Sequence, residues 1–361
     1  MTSATPRPRP LLGPGGRLAA LVVAGLLVVV GCSGGDDGPT TAAPTTAEAT
    51  ATTAPTTTTV PVAPVADPGT YAVGSVQDTV VDDTRPTPSQ GAQEELPERT
   101  LPVLVLYPAE GAPADGGATP DATPEPGPWP LVVFSHGLGG TGPAYATTLR
   151  AWASAGYVVV APTYPLSSAG SPAGPQPADL GNQPADVSVL IDRYTDLPDG
   201  DPLAGAVDPE RVGIAGHSLG GFTSLAAGYN PCCRDDRIDA VAEWAGAYLP
   251  ALGGAEGGDP VADGPPLLIV HGDSDDTVPY GRAAAVAEAV GPPLWSVTLV
   301  GGEHIPPYVT GLDSPASTVV TETTLRFFDA FLKDDPGGAD GIEEVVAEAG
   351  PDVATVEVDQ G

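Results

Sequence analysis

Positive charge is scarce in this chain. Lysine and arginine together number 13 against 46 aspartates and glutamates, and the formal net charge is −33. No basic patch is present to follow a phosphate backbone, which excludes nucleic acid as a partner. Lysine occurs once, as Lys333, and reads as a bias of composition with no mechanistic part. No glycine-rich loop therefore carries the lysine of a phosphate cradle. Cysteine is limited to Cys32, Cys232 and Cys233. No Cys/His cluster has the spacing of a zinc site, so no metal ligand set is assigned. No apolar run reaches the roughly 20 residues that span a bilayer. No repeat of solenoid or propeller length is found.

What is present divides the chain into four parts. Residues 1–31 carry Arg7, Arg9 and Arg17, no acid, and an apolar run of 13 residues from Leu18 to Val30. Such a run is the core of a signal peptide. It ends Val29-Val30-Gly31-Cys32, small residues before a cysteine, which resembles the lipobox of bacterial lipoproteins. Cys32 is then the acylated residue. The expectation is an exported protein held on the outer face of the bacterial membrane. Residues 32–67 are mostly Thr, Ala and Pro in near-repeat and cannot bury enough surface to fold, so they read as a tether. Residues 68–335 carry the apolar runs of a catalytic domain. Residues 336–361 read as an acidic tail, with a short helix near Ile342 to Glu348 the one element that suits it.

Within 68–335, short apolar runs alternate with helical stretches. Tyr71–Val81, Arg99–Pro108, Pro130–Phe134, Tyr157–Ala161, Val212–Ala215, Ile238–Glu243, Leu267–Val270 and Trp295–Val300 have strand character. Tyr145–Ala155, Ala185–Tyr194, the stretch from Leu219, Gly281–Val290 and Val319–Leu332 have helical character. The alternation predicts an α/β fold, a mostly parallel sheet with helices on both faces. The stretch between Glu243 and Leu267 is short and rich in Gly, Ala, Pro and Asp. It is too polar for an apolar helical cap, so no large lid is expected.

The sequence around residue 218 organises the rest. Gly216-His217-Ser218-Leu219-Gly220 is a G-x-S-x-G pattern with a strand before it and a helix after it. This is the signature of a nucleophile elbow, in which the serine sits on a sharp, strained turn with its hydroxyl exposed. A serine hydroxyl needs a base. The four histidines, His136, His217, His271 and His304, all fall after predicted strands, at the sheet edge where ligands gather. His304 follows the last strand of the domain and suits the order Ser, acid, His. His217 is expected to point elsewhere; His136 and His271 are expected to pack or to position backbone. Of the acids in Asp273-Ser274-Asp275-Asp276, Asp275 is assigned to orient the imidazole, with Asp273 and Asp276 solvated or turn-forming. The oxyanion donors are the backbone N–H groups of Leu219 and of Leu138 in the His136-Gly137-Leu138 loop.

The elbow, the Ser135-His136-Gly137-Leu138-Gly139 loop and the His271-Gly272-Asp273-Ser274-Asp275 loop resemble the α/β-hydrolase superfamily. Within it the chain is most similar to the platelet-activating-factor acetylhydrolase and dienelactone-hydrolase-like group, with Asp82-Asp83-Thr84-Arg85 and Arg99 to Pro108 similar to the N-terminal strands of the acetylhydrolase-like members. Ser218 stands where a dienelactone hydrolase has cysteine. The resemblance implies hydrolysis of a small neutral ester or lipid through an acyl-enzyme, with no cofactor. An inert binding protein on the same fold, or an acyltransferase using the same triad, are the alternatives. Trp244 and Tyr280 are candidates for lining the substrate pocket, against core packing. Cys232 and Cys233 suit a structural role; a disulfide between adjacent cysteines would hold its Cα atoms closer than the usual range of roughly 4.4–6.8 Å and be strained, which leaves free thiols or an intermolecular bond.

Overall fold

The strands and helices alternate along the chain. The order begins β1 (Ala72–Asp82), β2 (Arg99–Ala109), β3 (Thr119–Pro120), β4 (Trp129–Ser135), α1 (Ala146–Ser154), β5 (Val158–Pro162), α2 (Gln183–Thr195), β6 (Val207–His217) and α3 (Leu219–Tyr229). It continues β7 (Ile238–Trp244), β8 (Leu267–Gly272), α4 (Gly281–Ala289), β9 (Leu294–Leu299), α5 (Pro315–Leu332), α6 (Gly338–Ala349) and β10 (Ala354–Asp359). The computed structural model describes Ala63 and residues 67–361, apart from 92, 114–116 and 253–256. Of two compact units, Met1–Thr57 and Thr58–Gly361, only the second holds described residues. The expected signal peptide, Cys32 and nearly all of the tether lie outside them.

All the strands join one sheet in the order β10-β9-β8-β7-β6-β4-β5-β2-β1-β3. From β9 to β5 every pairing is parallel. β2 and β1 run antiparallel at one side, and β10 runs antiparallel at the other. The short apolar runs are central strands because both of their faces are covered, and the period of two sends alternate residues to opposite cores. Leu131 and Val133 of β4 join Val158 and Val160 of β5 and Leu267 and Ile269 of β8 in one core, with α2, α3 and α4. Val132 and Phe134, Val159 and Ala161, and Leu268 and Val270 join the other, with α1, α5 and α6. The parallel strands therefore end at one edge of the sheet, and the loops carrying His136, Ser218, Asp275 and His304 all open there.

The chain beyond residue 336 is part of the domain, which corrects the expectation of a separate acidic tail. Ile342 and Val346 of α6 are buried in the same core as α5. β10 then pairs with β9, from Ala354 opposite Leu299 to Asp359 opposite Leu294. An edge strand has one covered side, so the Thr355, Glu357 and Asp359 of its sequence conceal it among polar residues. Helix α5 also starts earlier than its apolar period suggests. Ser314 is its N-cap, accepting from the Ser317 N–H at 3.2 Å, and Pro315 takes the first helical position.

Two buried charge clusters fix helices to the sheet. Arg99 at the start of β2 grips Asp186 of α2 with Nε at 2.6 Å and Nη2 at 2.6 Å, and reaches Asp179 at 2.9 Å. Arg85 joins Asp82 at 2.6 Å to Asp186 at 2.8 Å. Lys333 is buried and does have a structural part, contrary to the reading from composition. Its Nζ donates to the Ala155 carbonyl at 2.7 Å, pairs with Asp329 at 3.2 Å and lies 4.0 Å from the Tyr157 ring centroid. It ties the end of α5 to the turn between α1 and β5. Cys232 and Cys233, just after α3, form a disulfide with each other and pack beside Leu180, Leu219 and Leu252.

Candidate active site

The elbow comes first because everything else faces it. β6 turns into α3 through Ser218 alone, which adopts φ 55° and ψ −120°. Positive φ is rare for a residue with a side chain, and the neighbours must make room for it. A Cβ on Gly216 would collide with the Gly220 carbonyl, and one on Gly220 with the Ser135 carbonyl. Glycine at both positions is thus a steric requirement. The Ser218 N–H donates to the Trp244 carbonyl at 2.8 Å, tying the turn to the end of β7.

Beneath this tie lies a buried acid that the sequence reading passed over. Glu243 is fully buried, and its Oε2 accepts the Gly246 N–H at 2.7 Å. Burial pushes its pKa up to about 8 from the ordinary 4.5. Between those two pH values the folded protein holds a proton that the unfolded chain has released. Stability from this group is therefore greatest below pH 4.5, falls as pH rises through the window, and levels off above about pH 8. Glu243→Gln is neutral at every pH and still accepts from Gly246. Its stability relative to the wild type in urea unfolding should rise between pH 5 and pH 8.5; a difference that stays constant would refute the buried, protonated acid.

The structure brings Ser218, His304 and Asp275 together. His304 Nε2 is 2.8 Å from Ser218 Oγ, and His304 Nδ1 is 2.6 Å from Asp275 Oδ2. Asp275 is buried, and its Oδ1 accepts the N–H groups of Thr277 and Val278, each at 2.8 Å. Those two bonds hold the carboxylate so that Oδ2 faces the imidazole. An ionised carboxylate only accepts, so Nδ1 carries the proton and Nε2 is free to accept from the serine hydroxyl. Asp273 and Asp276 are exposed, and the carboxylate bonded to His304 is that of Asp275. Asp273 caps the next loop instead, accepting the Gly301 N–H at 2.8 Å.

The loop after β4 is held just as closely. The Gly137 carbonyl accepts from the Gly140 N–H at 2.8 Å and from His136 Nδ1–H at 2.8 Å. In a trans peptide the following N–H points the opposite way, so these two bonds set the direction of the Leu138 N–H. His136 Nε2 accepts the Tyr164 N–H at 3.0 Å, and burial pulls the ring's pKa down to about 4, which keeps it neutral in this tautomer. Among the described residues, neither the Leu138 nor the Leu219 N–H is donated to an acceptor within the chain.

Ser218 opens into a cleft of about 490 Å³ walled by Leu138, Ala144, Tyr145, Thr277, Ile305 and Val309. Leu138 and Ile305 are 47% and 46% exposed, so the mouth has an apolar rim. Neither of the proposed pocket aromatics lines it. Trp244 is fully buried, packed on Phe134 at 5.4 Å and Trp152 at 5.5 Å between ring centroids, with its Nε1–H donated to Thr324. It lies at the end of a strand covered on both faces, which sends it to the core. Tyr280 stands outside the cleft, with its hydroxyl against Thr298 at 2.6 Å. His217, expected to point away, lines the cleft. Its two nitrogens meet the Tyr145 hydroxyl and the His304 carbonyl, each at 2.8 Å.

The fold as a whole has a counterpart among solved structures. The ferulic acid esterase from Streptomyces cinnamoneus aligns with a TM-score of 0.59 and 22% identity, over 75% of this chain and 94% of that chain. The fold is that of the α/β-hydrolases. Residues 112–172 also match the family model for platelet-activating factor acetylhydrolase, isoform II. That segment of the hydrolase fold spans β4, the loop around Leu138, α1 and β5, and it stops short of the elbow. No curated protein matches the chain by sequence.

Proposed function

We propose that the chain is a serine hydrolase that cleaves small neutral carboxylic esters through an acyl-enzyme. The observation that carries this reading is the continuous line from Ser218 Oγ through His304 to Asp275, with contacts of 2.8 and 2.6 Å. His304 takes the Ser218 proton as Oγ attacks the ester carbonyl. The Leu138 and Leu219 N–H groups receive the negative charge on the carbonyl oxygen. His304, now protonated and stabilised by Asp275, gives its proton to the departing alcohol. Water then repeats the sequence on the acylated serine. The kinship with an acetylhydrolase family and with an esterase fold supports the same chemistry. Reaction of Ser218 with a fluorophosphonate probe, followed by an ester panel with and without alcohol acceptors, tests it. Failure of the probe to label Ser218 in folded protein removes the reading, and product formed only with an acceptor alcohol turns it into acyl transfer.

Substrate access follows from the same loops. Between Trp244 and Leu267 the described residues contain no helix and form no apolar helical cap over Ser218. The walls of the cleft carry apolar side chains and no cation. The net charge of −33 disfavours anionic substrates. The expected kinetics are ordinary saturation on short soluble esters, with no rise in rate as substrate passes its solubility limit. A sharp activation at that limit would contradict the open cleft. The setting we propose is the outer face of a bacterial membrane, with Cys32 acylated and residues 33–67 as a tether. Cys32→Ala should move the protein from the membrane to the soluble fraction; retention on the membrane would point to a different anchor.

A further inference from the structure

We propose that His217 is a positioning residue that locks the base loop and the oxyanion loop into one hydrogen-bonded frame around Ser218. The proposal rests on the catalytic reading above. The His304 carbonyl can only accept, so the His217 nitrogen 2.8 Å from it, Nε2, carries a proton and donates. In the neutral ring, Nδ1 is then an acceptor, and the Tyr145 hydroxyl 2.8 Å away donates to it. The same hydroxyl oxygen accepts the Gly137 N–H at 3.3 Å. One starting fact thus assigns every role in the chain. Gly137 donates to Tyr145, Tyr145 to His217, and His217 to His304.

The ring suits this task and little else. It is 1% exposed and lies over Tyr308 with centroids 4.9 Å apart and planes 27° from parallel. Burial, with the neighbouring His304 adding to it, pulls its pKa down to about 3, so it stays neutral at working pH. Both nitrogens are occupied, which leaves none for a substrate proton. Among the described residues, the bond from His217 is the one hydrogen bond that the His304 main chain makes. His304 sits in an irregular segment between β9 and α5, where no strand or helix sets its backbone. Its imidazole must nevertheless stay within hydrogen-bond reach of Ser218. Positions of catalytic groups need to hold to about 0.5 Å. His217, as the neighbour of Ser218 in sequence, moves with the elbow and carries the base and the Gly137–Leu138 peptide with it.

Three variants separate the links. His217→Asn keeps an acceptor near the place of Nδ1 and has no donor that reaches His304. His217→Gln places an amide N–H near the place of Nε2. Tyr145→Phe removes the hydroxyl. Turnover of p-nitrophenyl acetate and thermal unfolding are measured for each, and for Tyr145→Phe combined with His217→Asn. His217→Asn should lower kcat about 10- to 100-fold, the scale of one buried hydrogen bond, with KM within about threefold. His217→Gln should recover a measurable part of that loss. Adding Tyr145→Phe to His217→Asn should cost less than Tyr145→Phe alone, because the two share one chain of bonds. A folded His217→Asn with kcat within twofold of the wild type, or a glutamine variant no better than asparagine, overturns the frame. If His217→Asn does not fold, Tyr145→Phe decides: lower kcat at unchanged KM and unfolding temperature supports the frame, and unchanged kcat overturns it. Ser218→Ala is run beside them. An active alanine variant removes the catalytic reading itself, whereas an inactive one beside a normal His217→Asn removes only the frame.

Discussion

Ser218→Ala should reduce ester turnover by about 10⁶-fold, the scale seen when a serine hydrolase loses its nucleophile. The variant should fold as the wild type does. The positive φ at residue 218 is already borne by a side chain with a Cβ, and alanine adds no atom to it. The Ser218 N–H bond to Trp244 belongs to the backbone and survives. The lost contact is the single hydrogen bond to His304 Nε2, which leaves the imidazole with no proton to take. Residual activity should come from the oxyanion donors and substrate binding alone. The check is a progress curve at high enzyme concentration, with labelling by a fluorophosphonate probe and a thermal melt on the same sample. Turnover at the wild-type rate in a folded variant would end the enzymatic reading.

Asp275→Asn should lower kcat by about 10⁴-fold while leaving the geometry almost unchanged. The reason lies in the two bonds to Oδ1. The Thr277 and Val278 N–H groups need an acceptor, so they hold the amide oxygen of asparagine in that place. The amide NH₂ is then turned toward His304. A donor there requires Nδ1 to accept, which moves the imidazole proton to Nε2. A protonated Nε2 cannot take the Ser218 proton. Asp273→Asn and Asp276→Asn change exposed carboxylates that are not the His304 partner and should stay within about twofold. Comparing kcat for the three variants decides the assignment. Greater damage from either exposed site than from Asp275→Asn would move the orienting role to that residue.

Much of the fold was legible because periodicity reports burial. Pro130-Leu131-Val132-Val133-Phe134 is apolar at every position because both faces of β4 are covered. Its neighbours in the sheet read the same way. The end of the chain did not read so clearly. Ala354-Thr355-Val356-Glu357-Val358-Asp359 alternates, yet an exposed edge beside acidic residues looks the same as a solvated tail. Only the β9 edge that it covers distinguishes the two. The elbow residues were legible for another reason. A positive φ at Ser218 forces glycine at positions 216 and 220, so backbone sterics leave a mark on the local sequence.

The sequence by itself determined which groups could do chemistry. Four histidines, one elbow serine and one acid-rich loop, each placed after a strand, left few combinations. A parallel sheet brings the ends of its strands to one edge whatever the loops contain, which is why residues 218, 275 and 304 could be grouped without coordinates. Only the tertiary structure decided where the neighbouring side chains turn. Trp244 went to the core and Tyr280 to the outside, because strand end and loop path set their directions. His217 joined a carbonyl 87 residues away, and Lys333 a carbonyl 178 residues away. No local pattern records such a contact, since its partner is chosen by the packing of separate elements.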